Sequence, residues 1–308
     1  MKWFTGLLIL ALVATCAAMT WQHLRYLDLR REAMEDQQPV FHGTSFHSVT
    51  YLNAEDPDSL LDSLAALQAA AEKTDEGVWV YAGKAIFNAI QSTQITAAMG
   101  ERRPWHAIVV QQFPDRPAYE RYLADAEVQR ALNAFPTRYE HGMQRSAAVN
   151  LLLPQMLLAR KAWRGLTFAP SLLPLKPAPG AKNFPTMDMG RALLDESDGL
   201  GSDAIAIVNL MQGGSAEEEA ANAQYAGRML DLMADRAYGP MHIGTAISLN
   251  PEVQFDRAAI VYYPGRRYFS DLASSEYFQS IIGDKQLADT EAVITVPLGR
   301  ALRRIRSS

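Results

Sequence analysis

The chain has 308 residues, 48% of them hydrophobic and 20% charged, with a formal net charge of −5. At roughly 150 residues per domain that length suggests two domains, and the composition excludes a chain disordered throughout. The negative balance argues against a generic nucleic-acid binder, and the single cysteine, Cys16, excludes a disulfide framework or a thiolate metal site.

From Trp3 to Trp21 there is no charge, and the next comes only at Arg25. That is close to the roughly 20 residues needed to cross a bilayer core, and a tryptophan at each end suits the two interfaces. The segment reads as an uncleaved single-pass anchor whose partner is membrane lipid. A cleaved signal peptide stays open, because Ala14, Cys16 and Ala18 offer small residues for a cleavage site, and Val13-Ala-Thr-Cys16 loosely matches a lipobox. Lys2 is opposed by Arg25, Arg30 and Arg31, so the charge comparison is nearly balanced. The expectation is a short inner N-terminus with the body exported, periplasmic or otherwise extracytoplasmic. Gln22 to about Gln38 continues as a stalk, so residues 1–38 form the anchor and stalk.

The next unit is expected over 46–153. Phe46 to Leu52 alternates as a strand does, Asp56-Pro57 opens a helix, and Leu60, Leu61, Leu64, Leu67 and Ala71 fall at helical spacing. A second strand starts at Val78 and a third covers Trp105 to Phe113. A helix follows from Arg116 to about Asn133, and a fourth strand runs from Ala147 to Leu153, ended by Pro154. The unit over 203–297 repeats that order. Its strands are Ala204–Leu210, Met241–Leu249, Phe255–Tyr263 and Ala292–Val296, and Ser215 and Glu218 form a capping box before its first helix. Its second helix is expected from Arg267 to about Ile282. Pro114, Arg116 and Gln129 match Pro264, Arg266 and Gln279 at one constant offset, and Trp105 aligns with Phe255 and Phe113 with Tyr263. Between the units, 154–202 holds a basic segment and a proline-rich linker, and 298–308 is a basic tail. Both basic segments mix apolar residues with arginines, as a membrane-surface helix or a plain terminal helix would.

Two β-α-β-β-α-β units are the order of ferredoxin-like folds, so the expected fold is α+β: two tandem repeats pairing as an intramolecular barrel behind a membrane helix. Tyr263-Pro264…Ser275-Glu276-Tyr277 resembles a motif of the DUF1330 group in the dimeric α/β-barrel superfamily, and Phe113-Pro114…Ala126-Glu127-Val128 matches it less well. The resemblance implies a pseudo-dimeric barrel. The superfamily it points to includes cofactor-independent monooxygenases and haem proteins, but the group itself implies no settled reaction.

The chain has no P-loop, Rossmann glycine fingerprint, Gly-x-Ser-x-Gly elbow or His-Glu-x-x-His motif, and it lacks the Gly-x-x-Asp-Gly of dye-decolourising peroxidases. His42 and His47 are the nearest approach to a metal pair, in a spacing that does not support one, so no metal and no cofactor are expected. Weak catalytic candidates are His106, Trp105, Tyr81 and His242, which could line a pocket between the two sheets. Arg116, Arg266 and Arg267 stand after strand-ending prolines and could hold an anion at a helix N-terminus. With no catalytic constellation, the primary expectation is a non-catalytic binding or assembly role at the membrane, with a possible protein partner there. The alternative is a small-molecule enzyme of the cofactor-independent monooxygenase type.

Overall fold

The alternation from Phe46 to Leu52 becomes β1 (Thr44–Asn53) in the computed structural model, which describes residues 2–34, 44–101, 104–180, 204–236 and 239–307. Before it lies α1 (Lys2–Met34), one continuous helix containing a single stretch, Thr5–Arg25, long and apolar enough to cross a membrane. The distal stalk and His42 fall outside the described residues. Asp56 accepts a bond from the Asp58 N–H and caps a 3-10 turn that leads into α2 (Leu60–Lys73). Then come β2 (Val78–Ile90), a short helix α3 (Thr93–Met99) that the sequence did not suggest, and β3 (Ala107–Phe113). The expected single helix after β3 is two, α4 (Arg116–Ala124) and α5 (Ala126–Leu132), because Asp125 stays extended and caps the second.

The fourth strand is β4 (Thr137–Ser146), and the stretch 147–153 expected to be that strand is instead the start of α6 (Ala147–Leu166), with Pro154 inside the helix. The reason is local. A continuous apolar run cannot be told from a buried helix by periodicity, while β4 carries Tyr139, His141 and Arg145 on its inward face and so looks polar. The second half follows expectation more closely: β5 (Ile205–Gln212), α7 (Ala216–Arg236), β6 (Pro240–Ile247), β7 (Arg257–Tyr263), α8 (Arg266–Ala273), α9 (Glu276–Gln279), β8 (Asp289–Pro297) and α10 (Gly299–Ser307). The Ser215–Glu218 box closes as expected, with the Ser215 N–H donating to Glu218 at 2.7 Å and the Glu218 N–H donating to Ser215 Oγ at 3.3 Å. Part of the proline-rich stretch is docked. Ala178 N–H donates to Ser274 at 2.9 Å and Glu276 N–H to Lys176 at 2.8 Å.

The eight strands close one antiparallel barrel in the order β1-β3-β2-β8-β5-β7-β6-β4. In each run of four, the first strand lies beside the third and the fourth. The halves join where β2 meets β8 and β4 meets β6. Because side chains alternate across a strand, each strand sends one row into the barrel and one outward. Val49, Ile108, Val110, Val208, Ile260 and Val293 point inward and are buried, as the register pairs Val49–Val110 and Val208–Ile260 require. On the first half's outer face, Leu52, Val109 and Phe113 pack against Leu64 and Leu67 of α2 and Tyr119 and Tyr122 of α4. On the second half's outer face, Ile207, Val261 and Tyr263 face α7 and α8.

A candidate site beneath the second-half helices

The outer layers of the two halves differ. On the first half, α2 and α4 close down onto the sheet, whereas on the second half a cavity of about 540 Å³ separates the sheet from α7, α8 and α9. Its floor includes Ile207, Asn209 and Ala259, and its roof includes Tyr225, Met229 and Phe269. Ala259 stands where Val109 stands in the first half, at the offset that relates Pro264 to Pro114, and Ala292 beside it also presents only a methyl group. Small floor residues under a helix that cannot sink without breaking its own sheet contacts leave space that packing does not fill.

The wall is apolar with a few polar groups, the usual anatomy of a small-molecule site. Asn209 donates from Nδ2 to the Ile207 carbonyl at 3.2 Å, and Gln279 donates to the Ala273 carbonyl at 2.7 Å. Burial pushes the Tyr225 hydroxyl up to about 12, so it stays protonated and able to donate. Lys285 is the one cationic side chain in the wall among the described residues, and burial holds its ammonium below the usual lysine range. A histidine-ligated haem does not fit here, because among the described residues no histidine or cysteine lines the cavity.

The sequence-derived candidates lie elsewhere. Tyr81 and His242 are inside the barrel, which is filled rather than hollow. Tyr81 Oη lies 2.6 Å from Thr295 Oγ1, and His242 is bonded to the Arg145 guanidinium with its ring 5.4 Å from that of His47. Trp105 closes one end of the barrel, its ring tilted against that of Tyr51 at 5.6 Å and its Nε1 donating to Glu291 Oε1 at 2.9 Å. His106 is not in the barrel interior: its Nδ1 accepts the Ala54 N–H at 3.1 Å, a turn-fixing bond. The expected pocket between the sheets is therefore occupied by side chains, and the cavity sits outside one sheet instead. Among the described residues no group of three acidic, histidine or cysteine side chains could hold a metal. Arg116 and Arg267 each reach an acid one turn along their own helix, Glu120 at 3.0 Å and Asp271 at 4.0 Å. The N-terminus of α4 is already capped by Asp115, which accepts the Ala118 N–H at 2.8 Å. Arg266 is half-buried at the start of α8.

The interior does hold polar residues that pattern reading missed. Glu291, almost fully buried, accepts from Trp105 and from the Ser92 N–H at 2.7 Å. His141 is buried with Nδ1 at 2.8 Å from the Tyr139 hydroxyl and its ring edge-on to Phe255. Tyr139, His141 and Arg145, in a period-two row interrupted only by Met143, were the available signal, because in a barrel wall such a period marks a partly polar lumen as readily as a solvent face.

No family model matches the chain, and no curated protein matches it. Several solved structures are similar to it at low identity. An anthrone oxidase-like protein is 8% identical with a TM-score of 0.45, covering 83% of this chain and 92% of its own. A chlorite dismutase variant from Candidatus Nitrospira defluvii is 12% identical with a TM-score of 0.45, covering 89% and 98%. A protein from Fusobacterium nucleatum subsp. nucleatum, provisionally described as a monooxygenase, is 9% identical with a TM-score of 0.43, covering 84% and 94%. These neighbours carry the names of enzymes, against the non-catalytic binding or assembly role expected from the sequence.

Proposed function

We propose that this chain is a small-molecule enzyme of the cofactor-independent monooxygenase type, acting on an apolar, ring-sized substrate held in the cavity between the second-half sheet and its helices. The observation that carries the reading is the cavity itself: about 540 Å³ of mainly apolar space with one buried-side lysine and a few directed polar groups. A scaffold has no use for such a void, since unfilled space forfeits packing energy.

Without a cofactor, the electrons that reduce oxygen come from the substrate, so the protein's task is to make a carbanion or enolate and keep water away. Lys285, neutral more readily than an exposed lysine, takes a proton from an activated C–H, and Tyr225 and Asn209 donate to the developing enolate oxygen. Oxygen adds to the carbanion, and the peroxide collapses to a ketone and water: a CH₂ and O₂ become a C=O and H₂O. The test uses the full-length protein in detergent with 9-anthrone, following oxygen consumption above the uncatalysed rate. Lys285→Met is expected to lower kcat on the order of 100-fold with little change in KM, as loss of a general base does. Met229→Trp, which fills the cavity, is expected to abolish binding. No measurable binding of 9-anthrone, or a rate indifferent to both changes, would sink the reading.

The finer organisation belongs to the same proposal. The two halves, with limits near 46–153 and 203–297, are read as two copies of one ferredoxin-like unit, supported by their matching strand orders and by the Pro114–Pro264 correspondence. The narrower likeness to the DUF1330 group rests on Tyr263-Pro264…Ser275-Glu276-Tyr277 and, less closely, on Phe113-Pro114…Ala126-Glu127-Val128. Retention of α1 as an anchor, with the body extracytoplasmic, is supported by the length of its apolar stretch.

A further inference from the structure

We propose that α6 lies in the membrane–water interface with an apolar stripe immersed in lipid, and that the cavity fills from the bilayer. The second clause rests on the cavity being the substrate site. Leu152, Met156, Ala159, Trp163 and Leu166 follow one another at three- and four-residue steps, so they share one face of α6. That face is bare: Leu152, Trp163 and Leu166 are 65%, 67% and 75% exposed, and Phe168 just beyond the helix is 92% exposed. A run of large apolar side chains this long is more than scattered surface exposure. The flank of α6 next to the stripe is committed to the body, with Leu153 and Leu157 buried and Arg160 paired to Asp231 of α7 at 2.7 Å.

What covers the stripe is indicated by its neighbour. Gln155 of α6 donates to the Met19 carbonyl of α1 at 3.2 Å, and Gln22 is buried in the same contact region. Met19 lies within the membrane-competent stretch, six residues before its end at Arg25, about 9 Å along the helix axis. That depth falls in the range where interfacial helices seat, and Trp21 beside it is a residue suited to that boundary. The rest of the Thr5–Arg25 stretch is almost entirely exposed, so the medium that solvates it also meets the stripe. The other arginine-rich helix is a useful contrast. In α10, Ala301 and Leu302 are buried and Arg306 is paired to Glu72 of α2 at 2.6 Å, leaving no bare apolar row.

The stripe also joins the cavity. Met156 belongs to both, and Ile90, 44% exposed, is another wall residue open to the outside. The substrate class that follows is a lipid-soluble molecule that partitions into the bilayer before it binds.

The test uses the full-length chain carrying Trp3→Phe and Trp21→Phe, in phosphatidylcholine nanodiscs with or without acyl-brominated lipid. Trp79 and Trp105 are buried in the body, so lipid-dependent quenching is expected from Trp163 and should fall at least threefold on adding Trp163→Phe. Quenching of Trp163 by aqueous iodide but not by brominated lipid would overturn the seating. So would a nanodisc mass of two chains with Trp163 shielded from both, which would put a second copy on the stripe. For entry, 9-anthrone loaded in vesicles is mixed rapidly with the nanodisc protein. Transfer is expected to be at least fivefold slower in Leu152→Glu, which leaves the cavity wall untouched. Equal rates would remove the bilayer route. Quenching without any 9-anthrone binding would keep the seating and fail the enzyme reading; binding without quenching would do the reverse.

Discussion

His141 shows how single side chains behave in this barrel. Burial with one hydrogen bond holds its imidazole neutral, its pKa pulled down to about 4. In the unfolded chain it would take a proton near pH 6.5, so the unfolded state binds more protons below that value. Its contribution is therefore intact above pH 6.5 and is lost as pH falls towards 4, at most about 3 kcal/mol from a displacement of that size. Urea titrations at pH 7 and pH 5 should show this slope in the wild type and a flatter one in His141→Phe. Equal slopes would mean that His141 titrates normally. Glu291 is a buried acid that two donors share. Glu291→Gln keeps the volume but leaves one acceptor oxygen for two donors, Trp105 Nε1 and the Ser92 N–H, so one bond is lost, and it should cost about 1–3 kcal/mol by denaturant midpoint.

At the scale of elements, the halves are latched by small caps as well as by strands. Asp289, at the start of β8, accepts from Ser92 Oγ at 2.7 Å, Thr93 N at 3.1 Å and Gln94 N at 3.0 Å, and so caps α3 of the other half. Partial burial opposes its charge, but these donors prevail and its carboxyl sits below the usual aspartate value. A depressed carboxylate stabilises above its unfolded pKa near 4 and loses that contribution as pH falls further. Asp289→Asn is expected to cost about 1 kcal/mol at pH 7, with the difference from wild type shrinking below pH 4, a window distinct from that of His141. The capping box of α7 was legible in the sequence because all its partners lie within one turn. The Asp289 cap was not, because its donor and acceptor are 197 residues apart.

For the whole molecule, barrel closure depends on two unequal seams. β2 and β8 pair from Gly83–Pro297 to Ile90–Ala292, whereas β4 and β6 pair at Gly142–Ile247, Met143–Ala246 and Gln144–Thr245. A Cβ on Gly244 would collide with the Gln144 carbonyl and the Met143 side chain, so glycine is what allows the two strands to approach there. Gly244→Ala is expected to destabilise by about 2–4 kcal/mol. Amides along β4 and β6 should exchange hydrogen before those along β2 and β8. Faster exchange at β2–β8 would show that the longer seam is the weaker one.

Local chemistry carried much of this protein into view. The apolar run before Arg25, the alternation of β1 and the Asp56 and Ser215 caps all depend on neighbours within a turn or a strand, and each was readable from residue spacing. Only the tertiary structure decided that 147–153 joins a helix, because the lumen-facing polar row of β4 imitates a surface. It also decided that Tyr81 and His242 fill a barrel instead of lining a pocket, and that Lys285, Tyr225 and Asn209 share a cavity. Those three come from a loop, a helix and a strand, and no local pattern joins them. The void between them exists because alanines on the floor meet a helix held above them, which is a property of packing at a distance.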